Sequence, residues 1–298
     1  MKVSIIGAGA IGCFLASRLD VLNINYEMLF KESNLSVSNP SFTIDGAIKY
    51  HVNNINYITD YRKISGDIIF ITTKSFSNVE VFSKLRGLKN KTIILFQNGI
   101  GEEDKLAKLI CPSNDIVAAT SNIKVTKNND TVTLFTDLYN LTYAYLDQPK
   151  NKLRIDLLFE KIFSSLSLCK TVYEARFKKL VINTSCSGLS VITGADMYTM
   201  ATNNKFSKHI IKIAEEVVDV AKSYDVILDK SFINNILQIL SNPDYKGSFF
   251  SMKQDFEQKK PLEIESIYTN FINLADNAAV SVPHTVKLYN KLLDLNNY

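Results

Sequence analysis

Residues 2–12, Lys2-Val3-Ser4-Ile5-Ile6-Gly7-Ala8-Gly9-Ala10-Ile11-Gly12, decide the fold. A short apolar run ends at Gly7, and three glycines spaced G-x-G-x-x-G lead into an apolar-periodic stretch that reads as a helix to about Leu22. Strand, glycine-rich turn and helix in that order open a dinucleotide-binding βαβ unit. Gly7 permits the tight turn, Gly9 lets the backbone approach a pyrophosphate, and Gly12 allows the helix to pack closely on the strand. The anion then rests on the helix N-terminus, where free N–H groups and the dipole favour negative charge. Gly7, Ala8, Gly9, Ala10, Ile11 and Gly12 are therefore candidate cofactor-binding residues. A basic residue followed by apolar and small residues also suits a signal peptide, but three fixed glycines would weaken that helix.

Working outward, strand and helix signals alternate. Residues 26–30 read as the second strand, and residues 41–44 and 47–52 flank Asp45-Gly46, a two-residue hairpin signal. Residues 67–72 and 92–96 are β-branched or aromatic runs of the buried parallel type, with helical patterns at 78–88 and 102–109. Residues 116–120, 122–125 and 131–135 add strands around a turn at 128–130. From about Glu174 the pattern is helical, at 177–191, 203–224, 230–240, 262–277 and 283–295, and Pro261 and Pro283 each suit a first helical turn. The expectation is an α/β chain: a Rossmann-like doubly wound sheet over residues 1–173, then an all-α domain over 174–298.

Composition removes several function classes. Hydrophobic residues at 46% and charged residues at 21% describe a chain with a full-sized core, not a disordered one. Thirty-four basic against thirty acidic residues give +4 with no clustered basic run, which argues against a nucleic-acid partner. No uninterrupted apolar segment reaches a membrane span's length of ~18 residues. Cys13, Cys111, Cys169 and Cys186 are scattered, and only His51, His209 and His284 are present, so no metal site is expected. Scattered thiols suit a reducing compartment, and the chain is expected to be cytoplasmic.

Which dinucleotide binds depends on the end of the second strand, Leu29-Phe30-Lys31-Glu32-Ser33. Lys31 stands where a cation meets the 2′-phosphate of NADP, while Glu32 suits the ribose hydroxyl of NAD, and the pair also reads as a solvated loop. Two loops, Thr72-Thr73-Lys74-Ser75 and Gln97-Asn98-Gly99, follow core strands at the edge where such sheets bind ligands; turn chemistry alone also explains them. In the helical half, Lys179, Asn183 and Ser187 fall at i, i+4 and i+8, a polar stripe that is either functional or solvent-facing. Glu263 falls in the first turn of the helix begun near Pro261, where a carboxylate is favoured by the dipole.

Together these motifs resemble the ketopantoate reductases, 2-ketoacid reductases of the 6-phosphogluconate-dehydrogenase-like superfamily. The resemblance runs through GAGAIG at 7–12, TTKS at 72–75, QNG at 97–99, KLVINTSCSGLS at 179–190, SMKQDFEQKKPLEIE at 251–265 and VPHTVKLYNKLL at 282–293. It implies catalytic roles for Lys179 and Glu263, and substrate contacts from Asn98, Asn183, Ser187 and Ser251. It places Lys31, Lys74 and Asn98 with the glycine loop on NADPH/NADP+. Where the family carries a second helical asparagine this chain has Ser187, and the Pro-Gly usual after the strand at 116 is missing.

The implied reaction is NADPH-dependent reduction of 2-dehydropantoate (ketopantoate) to (R)-pantoate, towards pantothenate and coenzyme A. Lys179 would serve as general acid to the ketone oxygen as hydride arrives. A different 2-ketoacid on the same scaffold, encouraged by Ser187, and a non-catalytic dinucleotide-sensing regulator are the alternatives. The expected partner is a small 2-ketoacid, with no nucleic acid and no membrane, for a monomer or homodimer.

Overall fold

A computed structural model describes residues 1–30, 40–53 and 55–296. The chain divides into two compact units: Met1–Gln97 with Glu102–Ala175, and Asn98–Gly101 with Arg176–Tyr298.

In the first unit, β1 (Val3–Ile6) is followed by α1 (Ala10–Val21) and β2 (Tyr26–Leu29). Next come β3 (Phe42–Gly46), β4 (Tyr50–Val52), β5 (Tyr57–Ile58), β6 (Ile68–Ile71), α2 (Asn78–Leu85), β7 (Thr92–Leu95) and α3 (Glu102–Ala107). The unit continues with β8 (Asp115–Ser121), β9 (Val125–Asn128), β10 (Thr131–Leu134), β11 (Asn140–Tyr145), α4 (Lys152–Ile162) and β12 (Ser165–Leu168). Among the described residues, eight strands form one sheet in the order β12-β11-β8-β7-β6-β1-β2-β5. The run from β8 to β5 is parallel throughout, and β11 pairs antiparallel to β8. Strand order reverses at β1, with β2 on one side and β6 on the other, so the crevice beyond Ile6 and Ile71 is the switch point of a doubly wound sheet.

The central strands β1, β6 and β7 are buried along their whole length, as a parallel sheet covered on both faces requires. Side chains alternate between two cores. Ile5, Phe70 and Ile94 pack with Phe14 of α1 and Phe159 of α4, while Ile6, Ile71 and Leu95 pack with Phe82 of α2 and Leu106 of α3.

Three sequence expectations need correction here. Asp45-Gly46 is not a two-residue turn: the register puts Ile44 opposite Tyr50, leaving residues 45–49 as the connection. Asp45 and Gly46 instead pair with Thr133 and Leu134 of β10, building a second, four-stranded sheet β4-β3-β10-β9. Gly46 is needed there because its φ is +102° and a Cβ would lie 2.3 Å from the Leu134 carbonyl oxygen. The strand expected at 122–125 starts only at Val125, where pairing with Leu134 begins, and runs to Asn128. Residues 140–168, to which no element is assigned from sequence, supply β11, α4 and β12.

The second unit is helical. A run begun by α5 (Val172–Ile182), whose residues up to Ala175 belong to the first unit, continues through a π-helical turn, Asn183–Ser187, into α6 (Gly188–Thr193), which Gly194 ends with φ +71°. Next are α7 (Met197–Thr202), α8 (Asn204–Lys222) and α9 (Lys230–Leu240), whose first backbone N–H groups are capped by Asp196, Asn203 and Asp229 respectively. Then follow α10 (Ser251–Glu257), a second π-helical turn Glu265–Thr269 leading into α11 (Asn270–Asn277), and α12 (Pro283–Asn296). Buried Glu216 of α8 accepts the N–H groups of His284 and Thr285 at 2.7 and 2.8 Å, capping α12 from a neighbouring helix. No described helix is long and apolar enough to cross a membrane.

Candidate active site

The glycine loop leaves β1 at the switch point. Gly7 has φ +115°, and a Cβ there would come within 2.8 Å of Thr72 Oγ1 and the Thr73 amide. Thr72, just after β6, donates its hydroxyl towards the carbonyls of Ile6 (3.1 Å) and Gly7 (2.9 Å), tying the two strand ends together. Gly12 lies in the first turn of α1, and a Cβ there would sit 1.9 Å from the Gly7 carbonyl oxygen, so the helix seats on the strand only without a side chain.

Gly9 has neither constraint. It is the N-cap of α1 with φ −77° and ψ −172°, a conformation open to any residue, and no atom lies within 4 Å of where its Cβ would be. The space in front of it is open, which leaves room for a pyrophosphate laid against the helix N-terminus. The loop thus fits a dinucleotide on its own geometry.

Gln97, after β7, donates its amide to the Thr73 carbonyl (2.6 Å) and to Asn78 Oδ1 (2.8 Å), and Asn78 donates to Glu102 at 2.7 Å. These bonds tie the loop after β6 to the end of β7. Lys74 precedes a short 3₁₀ turn, Ser75–Ser77, that leads into α2. Lys31, with Glu32 and Ser33, lies outside the described residues.

In the second unit, three of the candidate residues meet. Asn183 Nδ2 donates to Asn98 Oδ1 at 3.2 Å, and Asn98 Nδ2 donates to Glu263 Oε2 at 3.4 Å. Asn183 and Glu263 are both buried, so each needs polar partners. The Asn98–Gly101 strap is pinned by two bonds: Ile100 N–H to the Ser266 carbonyl (3.0 Å) and Asn270 Nδ2 to the Ile100 carbonyl (2.8 Å). Gly99 has φ +98° and would drive a Cβ to 2.5 Å from Ser266, so only glycine lets the strap lie this close. Asn98 is therefore held with the helices of the second unit, although its neighbour Gln97 belongs to the first.

Glu263 departs from expectation in one respect. The helix begins at Ile264, not near Pro261, so Glu263 immediately precedes it, and its carbonyl accepts the Ile267 N–H at 3.3 Å. The polar stripe is likewise altered. Asn183 and Ser187 are buried, which removes the solvent-facing reading for both, and the π turn between them displaces Ser187 from simple i+4 spacing.

The cause of that turn is Tyr268, a residue with no polar signature in the sequence beyond its place in an apolar helix. Its ring is wholly buried, and its hydroxyl accepts the Gly188 N–H at 3.0 Å and donates to the Thr184 carbonyl at 3.0 Å. Those two backbone groups would bond each other in an α-helix; the hydroxyl is inserted between them. A Cβ on Gly188 would lie 2.3 Å from that oxygen, so Gly188 and Tyr268 require each other. Burial pushes the phenol well above its ordinary pKa, so it remains a donor at every working pH.

Lys179 sits one turn before Asn183 on the same helical run. Its side chain keeps some surface, but burial of the amine lowers its pKa to about 8. Ser251 starts α10 and is exposed; α10 itself packs beside the π turn and α6. The second unit thus carries a lysine whose pKa burial lowers to about 8, together with a linked carboxylate and two amides presented by a helix, a helix start and the Asn98–Gly101 strap.

Residues 3–148 match the family model described as ketopantoate reductase PanE/ApbA, and residues 171–296 match the model for its C-terminal part. The chain belongs to the ketopantoate reductase family. The 2-dehydropantoate 2-reductase of Nostoc sp. is 25% identical over 98% of this chain and 94% of its own length. Among solved structures, 2-dehydropantoate 2-reductase from Geobacter metallireducens superposes with a TM-score of 0.90 at 17% identity, covering 99% of each chain. A D-mandelate dehydrogenase in ternary complex with NADH and anilino(oxo)acetate superposes at 0.88 with 18% identity, covering 100% of this chain and 99% of its own. These likenesses establish the fold that the reductase family and the mandelate enzyme share.

Within this ketopantoate reductase fold, Tyr268→Phe keeps the ring and strands the Gly188 N–H and the Thr184 carbonyl. Unfolding by urea should show a loss of about 1–3 kcal/mol, the cost of leaving buried polar groups unsatisfied. Unchanged stability would show that the helical ladder closes without the hydroxyl.

Proposed function

We propose that this protein is an NADPH-dependent reductase of a 2-ketoacid, with ketopantoate as substrate and (R)-pantoate as product. The observation that carries the reading is the linked Asn183–Asn98–Glu263 set, one helical turn from a lysine whose pKa is lowered to about 8, in a chain of this family. The reduced dinucleotide, held by residues 7–12 with Lys31 and Lys74, supplies the hydride when bound.

The chain's own residues handle the oxygen. As the ketone carbon is reduced, its oxygen gains negative charge, and the Lys179 ammonium stabilises that charge and delivers the proton. A lysine near 8 is a better matched acid at neutral pH than one at its ordinary value. Glu263 accepts from Asn98, and in this reading it takes a substrate hydroxyl. Asn98, Asn183, Ser187 and Ser251 bind and orient the ketoacid, with residues 174–298 forming the substrate domain and 1–173 the cofactor domain.

A second substrate is favoured by one specific observation. Ser187, shorter than the asparagine the resemblance leads one to expect, is buried in the same π turn as Asn183, and we read the shorter side chain as admitting a bulkier ketoacid. The D-mandelate dehydrogenase of similar fold was solved with anilino(oxo)acetate, so an aromatic 2-ketoacid is the alternative. Purified protein with NADPH or NADH should be offered ketopantoate, phenylglyoxylate and pyruvate while the reduced-nicotinamide absorbance is followed. Fastest oxidation of NADPH with ketopantoate is expected. Preference for phenylglyoxylate would transfer the same mechanism to the aromatic substrate, and silence with every pair while a dinucleotide binds would leave a dinucleotide-sensing regulator.

A further inference from the structure

We propose that Lys127 is an additional dinucleotide-binding residue, lending its charge to the pyrophosphate at the head of α1; this rests on the cofactor reading above. Strand β9, in the small second sheet, packs against α1 and carries Lys127 to the glycine loop. The ammonium donates to the carbonyl of Ala8 at 2.8 Å, and Ala8 immediately precedes the N-cap Gly9. Cys13, in the first turn of α1, also points its thiol at the Ala8 carbonyl, at 3.5 Å, and is a second hydrogen-bond neighbour of Lys127.

The placement is electrostatically odd without a ligand. The head of a helix carries partial positive charge, so a cation there is unfavourable and an anion favourable. No acidic residue in the first turn of α1 offsets it. Among the described residues Lys127 forms no ion pair; Asp130, in the turn of the same hairpin, is exposed and acts electrostatically on Cys13 without pairing with Lys127. A half-buried ammonium has three protons, and the Ala8 carbonyl with the Cys13 thiol uses at most two of them. An anion on the α1 N-terminus reverses the sign of the arrangement: helix dipole, loop N–H groups and Lys127 then all act on it together. The open space in front of Gly9 is where that anion fits.

Isothermal titration of NADP+ and of NAD+ into the whole protein, at low and high salt, tests this without relying on turnover. Lys127→Gln, which keeps a hydrogen-bond donor but not the charge, should weaken both dinucleotides about tenfold at low salt, with a smaller difference at high salt. Lys127→Arg should stay within about twofold of wild type. The ligand-free melting temperature of Lys127→Gln should be equal to wild type or higher, since a cation has been removed from the positive end of a helix. A lower melting temperature or failure to fold, or dinucleotide affinity equal to wild type, would make Lys127 a structural clamp on Ala8 and overturn the proposal. Loss confined to NADP+ would overturn the pyrophosphate assignment in favour of the 2′-phosphate. Wild-type protein that binds neither dinucleotide would overturn the cofactor reading itself, and Lys127's role with it.

Discussion

Replacing Lys179 by alanine should lower kcat at least about a hundredfold, the lower end of what a positioned general acid contributes. The same change should leave dinucleotide affinity within a few-fold of wild type, because the glycine loop belongs to the first unit and Lys179 to the second. Wild-type enzyme should also show a distinctive pH dependence. Burial lowers the Lys179 pKa to about 8, so the ammonium is present below that pH and is lost as pH rises through it. Turnover should therefore be flat through the neutral range and fall on an alkaline limb centred near pH 8, well below the ordinary lysine value. Residual turnover in Lys179→Ala should lack that limb. Steady-state rates across a pH series for both proteins check this, and near-wild-type turnover in the variant would remove Lys179 from the chemistry.

The fold was legible in residues 2–12 because each of their glycines is dictated by something local. Gly7 and Gly12 are fixed by a neighbouring strand end and by each other, and Gly9 by the space a ligand needs, so strand, turn and helix leave a spacing that survives in one dimension. The hairpin at Asp45-Gly46 misled for the opposite reason. Its dipeptide carries the local signature of a two-residue turn, but the backbone of both residues is recruited by β10, some ninety positions later, and no local pattern reports such pairing. The helix α4 was within reach: Ile155, Leu158, Phe159 and Ile162 are buried at i, i+3, i+4 and i+7.

The candidate site was legible as residue types and only partly as geometry. The glutamate, the lysine and the two asparagines could be picked out through their motifs, and Asn98 bonds both Asn183 and Glu263. What opens the π turn at Asn183 was not visible. Tyr268 reads as one more apolar-face aromatic, and nothing in sequence spacing says that its hydroxyl enters the ladder of another helix eighty residues earlier. Lys127 is hidden for a similar reason: a single lysine in a polar hairpin has no pattern, and only the packing of β9 on α1 brings it to Ala8.

Two single-methyl substitutions in the glycine loop should separate what folding needs from what the cofactor needs. Gly12→Ala puts a carbon where the nearest atom, the Gly7 carbonyl oxygen, is 1.9 Å away, and a backbone oxygen cannot swing aside as a side-chain tip can. The helix must lift from the strand, an overpacking cost of about 1–3 kcal/mol, which for a domain of this size is about 2–12 °C in melting temperature. Dinucleotide affinity should fall with it, because the N–H groups of the first turn are no longer aimed together. Gly9→Ala meets no protein atom within 4 Å and a backbone conformation open to alanine, so its melting temperature should match wild type. Its new methyl nevertheless enters the open space before the helix N-terminus, and dinucleotide affinity should fall at least about tenfold, the equivalent of losing one good contact with the anion. Thermal melts and dinucleotide titrations on both variants decide the matter. Gly9→Ala that binds like wild type would place the pyrophosphate elsewhere, whereas Gly9→Ala that melts early would mean that Gly9 serves the fold and not the ligand.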